Sequence, residues 1–246
     1  MRLDSISTTA PKHIDKQKIK EKTKHILKRL EGLQELLYMN SKNAVLVVIQ
    51  GMDAAGKDGA IKSIFTGINP QGCNVIPFKQ PTFEELAHDF LWRIHIHTPA
   101  KGMIHIFNRS HYEDVLVTRV HGLIDDAQAQ KRFRDINNFE DLLSDNGTLI
   151  FKFYLHVSKQ EQEKRLKERL SNPAKEWKYS KSDFKERKFW DKYTKVYEDM
   201  LKHCNDIHKW VIVPSDQNWY KEYTIAKAIT DKLEALKMSY PKPVKA

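Results

Sequence analysis

The stretch Gln50-Gly51-Met52-Asp53-Ala54-Ala55-Gly56-Lys57-Asp58-Gly59 has the G-x-x-x-x-G-K spacing of a loop that cradles phosphate between a strand and a helix. Gly51 and Gly56 let the backbone turn so that successive N–H groups point inward. The backbone of Ala54, Ala55, Asp58 and Gly59 completes the expected phosphate-binding set, and the following helix adds its positive end. Lys57 is placed to reach a transferred phosphoryl group and balance its charge. Asp58 stands where Ser or Thr would normally hold Mg²⁺, which makes Asp53 the expected replacement. A carboxylate among phosphates is repelled unless a divalent cation sits between them, so Asp53 reads as a Mg²⁺ ligand, with a role as base for the accepting phosphate as the other option. A turn that merely caps a helix is the competing reading; strand, spacing, Lys57 and helix together weigh against it. The dinucleotide fingerprint G-x-G-x-x-G is absent.

A second polar cluster follows the third apolar run: Phe107-Asn108-Arg109-Ser110-His111-Tyr112-Glu113-Asp114. Polar groups at the carboxyl end of a parallel strand face the crevice where α/β sheets bind ligands. Asn108, Arg109, Glu113 and Asp114 are therefore site candidates, Arg109 for bidentate phosphate binding and the acidic pair for metal-bound water or the nucleoside side of a nucleotide. The same residues could instead form a salt-bridged helix start, with Ser110 as N-cap and Glu113 closing a capping box. A third region, from Arg165 through Lys167, Arg169, Lys175, Trp177, Lys178, Lys181, Lys185 and Arg187 to Lys188, is dense in positive charge. It suits a lid that closes over phosphates and supplies transition-state arginines. Arg165 and Arg169 share one helical face. Arg119 and Lys178 complete the expected phosphate or nucleotide contacts. A solvated charged helix remains the better reading for most of the other lysines, and Trp177, Phe184, Trp190 and Tyr193 read as packing anchors. His95, His97 and His105 lack a third ligand at metal spacing, so they are assigned to structure or phosphate contact and no zinc is expected.

The elements that must position these groups alternate. Apolar runs at 44–50, 74–78, 103–107, 148–155 and 210–214 are separated by helical stretches at 57–65, 82–92, 110–117, 129–144 and 159–169, with a last helix at 218–236. Alternation of this kind predicts an α/β fold with a parallel sheet covered on both faces. Ahead of it, Ile19, Ile26, Leu30, Leu33 and Leu37 give an amphipathic helix within an arm covering residues 1–40, to be packed on a core or on another subunit. The kinase-like domain is expected over 41–240, with its lid at about 159–190.

The balance of 42 Lys+Arg against 32 Asp+Glu gives a formal +10 and a pI near 9.4, which points to a polyanionic partner without choosing one. The longest apolar run, 44–49, is far shorter than a membrane span and the first residues lack a signal-peptide apolar region, so a cytoplasmic protein with no membrane partner is expected. Cys73 and Cys204 form no C-x-x-C pair and read as buried thiols.

Taken together, the loop at 51–59, the cluster at 107–114 and Trp177-Lys178-Tyr179-Ser180 with Asp183 resemble the family-2 polyphosphate kinases, over residues 16–236. The resemblance implies a thymidylate-kinase-like P-loop fold, three-layer α/β/α with a helical lid, Mg²⁺ dependence, and reversible transfer between inorganic polyphosphate and nucleoside phosphates. It also implies catalytic or phosphate-binding roles for Asp53, Lys57 and Arg109, helped by lid arginines such as Arg165 and Arg169. Many members carry Asp where this chain has Asn108; Asn108 with Glu113 resembles the subgroup that phosphorylates both AMP and ADP and so builds ATP. Members commonly form homodimers or homotetramers, a purpose the N-terminal arm could serve. The competing readings are an ATP-dependent nucleoside-monophosphate kinase, a nucleic-acid-binding protein, for which no recognised module is visible, and a non-catalytic polyanion binder.

Overall fold

Ala44–Gln50 (β1) is buried along its whole length, as a strand covered on both faces must be. In the computed structural model, which describes residues 2–176 and 180–241, it is the middle strand of a five-stranded sheet. Its companions are Cys73–Pro77 (β2), Ile104–Asn108 (β3), Thr148–His156 (β4) and Trp210–Pro214 (β5), in the order β2-β3-β1-β4-β5 with every pairing parallel. Strand order reverses beside β1, so the loop that leaves β1 opens at the switch point where such sheets take ligands.

The helices are Lys16–Asn40 (α1), Lys57–Phe65 (α2), Phe83–Ala87 (α3), Trp92–His95 (α4), Glu113–Val120 (α5), Asp126–Asp145 (α6) and Lys159–Ser171 (α7). They continue with Pro173–Glu176 (α8), Lys181–Glu186 (α9), Trp190–His203 (α10) and Asn218–Glu234 (α11). The α/β fold read from the pattern is the one observed, and the five apolar runs are the five strands to within a residue or two. The helix expected at 82–92 is two short ones. Thr82 and Glu85 close a capping box that starts α3, the chain is extended again at His88, and the Asp89 carboxylate accepts from the N–H of Leu91 before α4. α10 was not foreseen, because the reading of 165–188 as a charged lid stopped short of the period carried by Val196, Tyr197, Met200 and Leu201, all buried.

The N-terminal arm lies on the body of the protein. Asp15 caps α1 by accepting from the N–H of Lys18 at 2.8 Å, and Leu30, Leu33 and Leu37 enter the same core as the sheet, packed on α11. Ahead of α1, the N–H of Leu3 donates to the Glu198 carboxylate at 2.7 Å, and Thr8 both donates to the Asp216 carboxylate at 2.8 Å and accepts from the N–H of Asp216 at 3.0 Å. Among the described residues no helix is long and apolar enough to cross a membrane. Both cysteines are free; Cys204 is buried, whereas Cys73, expected to be buried too, is only half-buried at the start of β2, one of the two edge strands of the sheet.

Behind the β3–α5 turn lies a buried ionic knot. Lys152 of β4 donates to the Glu140 carboxylate of α6 at 2.7 Å, to the Tyr112 hydroxyl at 3.0 Å and to the Cys204 carbonyl at 2.9 Å. Tyr112 and His111 meet the other Glu140 oxygen at 2.8 and 3.3 Å. Burial would raise the Glu140 pKa, yet Lys152 and His111 hold it below the ordinary glutamate value. Removing one partner strands the other: Lys152→Met is expected to cost about 3–5 kcal/mol in urea unfolding. Lys152→Met with Glu140→Gln, which leaves no lone buried charge, is expected to recover most of that loss.

Candidate active site

A loop that turns its N–H groups inward to meet an anion turns its carbonyls the other way, and here each of those carbonyls has a donor. Lys57 Nζ donates to Gly51 O at 2.6 Å and Met52 O at 3.3 Å. Gln162 of α7 donates to Asp53 O at 3.0 Å. Arg165 donates to Ala54 O and Ala55 O at 3.1 and 3.0 Å, and Lys221 of α11 donates to Gly56 O at 3.2 Å. The backbone needs this support because it is bent hard: Gly56 has φ 97°, and Ala54, with a side chain, has φ 58°. A left-handed non-glycine residue costs on the order of 1–3 kcal/mol and persists where its surroundings enforce it. Gly51 cannot be replaced for a second reason: a Cβ there would lie 2.9 Å from Leu155 O.

Register brings the second cluster alongside. Asn108 is level with Ile49 in the sheet, and the N–H of Arg109 donates to Ile49 O at 3.2 Å with Arg109 itself at φ 65°. That bend turns the guanidinium to Asp53, 2.9 Å away. Asn108 donates to the Asp58 carboxylate at 2.9 Å. Glu113 is half-buried at the start of α5 beside Gln50, and desolvation raises its pKa against the opposing pull of Arg109 and Lys57. Burial first, and then Arg109, lower the pKa of Lys57. The capping-box alternative is not what forms: Ser110 Oγ accepts from Gln50 Nε2 and from the N–H of Tyr112, and α5 begins without a side-chain cap.

Two cavities meet here. The larger, about 620 Å³, is lined by Gly56, Lys57, Asp58, Gly59 and Asn108 and by Arg165, Arg169 and Lys221. The smaller, about 320 Å³, runs under α9 and α10 and is lined by Glu113, Val117, His121, Trp190, Tyr193 and Tyr197. Asp53, Arg109 and Asp183 border both. Trp190 and Tyr193, read as packing anchors, do pack on the core and also form this wall. Asp183 pairs with Arg169, and burial raises its pKa.

Not every expected residue arrives. All five N–H groups of Arg165 are taken, by Glu161, by Ala54 and Ala55, and by Ser215 O and Asp216 O at 2.6 and 3.1 Å, so its place is that of a brace beneath the loop. Asp114 points away from the cavities toward Arg93 and Arg132, and Arg93 in turn holds Lys79 O at 2.9 Å. Arg119 is bound to Asp126 and Asp199 at 2.6 and 2.9 Å, outside both cavities. Lys178, with Trp177 and Tyr179, lies outside the described residues. His105 Nδ1 meets the carbonyl of His97 at 2.7 Å, a structural contact. Gln162, Lys221 and Tyr197 line the site without having been singled out; each is an ordinary residue of an amphipathic helix until the helix is docked.

The family model for "Polyphosphate kinase 2" matches residues 13–241. The chain belongs to that family. Relatives include an AMP/ADP-polyphosphate phosphotransferase of Meiothermus ruber, 49% identical over 88% of this chain and 81% of its own length. An ADP-polyphosphate phosphotransferase of Rhodopseudomonas palustris is 45% identical over 89% and 81%. The crystal structure of a polyphosphate kinase 2 from Arthrobacter aurescens superposes with a TM-score of 0.96 at 38% identity, covering 100% of this chain and 89% of that one. As a polyphosphate kinase the protein is an enzyme, a phosphotransferase between polyphosphate and nucleotides, of a family that generally needs a divalent metal. Its residues fit such an ion. Asp53, Asp58 and Asp183 offer hard oxygen donors around the cavities, yet among the described residues no three ligand-type side chains converge. That suits a cation held by one or two carboxylates and completed by phosphates and water.

The brace has a measurable signature. Arg165→Lys cannot satisfy four carbonyls at once, and with two or more left bare the variant is expected to lose about 2–4 kcal/mol in urea unfolding. A guanidinium that served only bound phosphate would leave the unfolding curve of the ligand-free protein unchanged.

Proposed function

We propose that the protein moves phosphoryl groups reversibly between inorganic polyphosphate, lying in the larger cavity, and AMP or ADP, whose nucleoside occupies the smaller one, so that ATP is built in two steps. The observation that carries this reading is the meeting of the two cavities at Asp53 and Arg109. Donor and acceptor then approach one point from opposite sides, the arrangement an in-line transfer requires. The division of labour follows from the linings. The larger cavity has the inward-facing loop, the start of α2 and most of the cations; the smaller has the aromatic rings of Trp190, Tyr193 and Tyr197 together with Glu113. The names borne by the Meiothermus and Rhodopseudomonas relatives support polyphosphate with AMP and ADP as the substrates.

In this reading Lys57 leaves its carbonyl partners Gly51 and Met52 to hold the transferred group, and Arg109 neutralises the acceptor phosphate. Asp53 holds Mg²⁺, which when bound neutralises phosphate charge and aligns the reacting oxygens. Arg169 is the lid arginine nearest the chain of phosphates, while Arg165 acts through the loop it braces. Glu113 and Asn108 set the acceptor side. We also place the protein in the cytoplasm, in keeping with its two free cysteines, and as a homodimer or homotetramer. Exposed Ile96 and Leu142 beside the cleft between α4 and α6 support assembly there rather than through the arm, whose leucines are already buried.

Nucleotide analysis after mixing the protein, Mg²⁺ and long-chain polyphosphate with AMP or with ADP is expected to yield both ADP and ATP. Product from ADP alone would remove AMP from the reading, and product from neither would overturn it. Lys57→Ala is expected to lower kcat by roughly 10³ in a protein that still folds, with a modest loss in urea unfolding from the bared Gly51 and Met52 carbonyls. Asp53→Asn is expected to lose activity that added Mg²⁺ does not restore; a normal rate would move the metal elsewhere.

A further inference from the structure

Lys221 lies near the start of α11, 1% exposed, in a wall of the larger cavity. Its ammonium donates to Asn218 Oδ1 at 2.9 Å and to Gly56 O at 3.2 Å. Both acceptors are neutral, and among the described residues no carboxylate comes within ion-pair distance of Nζ. A buried cation without a counter-ion is costly, and the cost is far more than a carbonyl's need for a donor, which a neutral amide would meet. The loop is shaped around this ammonium: a Cβ on Gly56 would sit 2.3 Å from Nζ. Three N–H groups are available and two are engaged, leaving one for an anion.

We infer that Lys221 is a binding residue for the phosphate chain, supplying from the α11 side of the loop a second positive charge opposite Lys57. The inference rests on the reading that polyphosphate occupies the larger cavity. The groups that face Lys221 are Arg165 and Glu161 of α7, Glu222 of its own helix, and Lys57 and Asp58 of α2 across the cavity. Burial, and then Arg165, bring its pKa down to about 8, whereas Glu222 and Glu161 oppose the fall. Only the protonated form attracts phosphate, so this contribution is present below pH 8 and fades above it. Bound phosphate, by the same linkage, raises the pKa.

Calorimetric titration with tripolyphosphate tests this in wild type, Lys221→Met and Lys221→Arg at pH 7 and pH 9, with ADP as the control ligand. Lys221→Met is expected to bind tripolyphosphate about tenfold more weakly at pH 7 and to show a smaller loss between pH 7 and 9 than wild type, with ADP affinity unchanged. Lys57 is present in both proteins, so its own titration cancels in the comparison. Lys221→Arg is expected to keep binding at pH 9. Equal affinity and an equal pH profile in wild type and Lys221→Met would overturn the inference and leave Lys221 as a carbonyl donor. Wild type that binds ADP but no tripolyphosphate would overturn the reading of the larger cavity instead. Independently of how the Met variant folds, ¹³C NMR of the Lys221 Cε is expected to show a titration midpoint near 8 that rises when tripolyphosphate is added; a midpoint that does not move would also overturn it.

Discussion

The constraint on which the site depends is the hydrogen bonding of six consecutive carbonyls. A backbone that aims its N–H groups at an anion has to hide its C=O groups in protein, where an unmet acceptor is costly. Lys57, Gln162, Arg165 and Lys221 meet the carbonyls of residues 51–56 from three helices. The loop thereby ties α7 and α11 to its own backbone in addition to their packing on the core. Arg165 extends the same hold to Ser215 and Asp216, so one side chain ties the loops after β1 and β5 together.

The second loop is held differently. Arg109 takes a left-handed conformation at the end of β3, and the chain just beyond it is anchored from behind by the Glu140–Lys152–Tyr112 knot. The left-handed bend beside this anchor aims the guanidinium at Asp53. Pre-orientation of this kind lowers the reorganisation needed when charge shifts between donor and acceptor. The two cavities thus share a boundary made of an acid and a base whose positions were decided by backbone geometry before any substrate arrives.

What was legible in the sequence follows the range of the interactions. Strands buried on both faces show as short apolar runs, and the phosphate loop shows in its own spacing, because both are local. The roles of Arg165 and Arg169 were not separable, since four residues of spacing puts both on one helical face and says nothing of which carbonyls lie beneath. Glu113 and Asp114 are neighbours in sequence but about 100° apart around a helix, so one faces the site and the other Arg93 and Arg132. Lys221 and Gln162 look like any polar residue of an amphipathic helix. Their meaning comes from residues more than a hundred positions away. The split between α3 and α4 is carried by the local caps of Thr82, Glu85 and Asp89, and α10 by the period from Val196 to Leu201, both short-range signals within polar, charged segments.

Contacts of the N-terminal arm bear on the order in which the molecule can assemble. Leu3 waits for Glu198, Thr8 for Asp216, and the leucines of α1 for α11. During synthesis these residues emerge with their apolar face uncovered, and the loop at 51–56 gains its donors from α7 well before its donor from α11. A ribosome-bound fragment ending before β5 therefore holds donors for the carbonyls of residues 51–55 in Lys57, Gln162 and Arg165, while Gly56 O still lacks Lys221. High sequence separation between partners slows folding and lengthens exposure to other chains. The loop is thus completed in stages, and its final donor arrives with α11, the same helix that covers the leucines of α1.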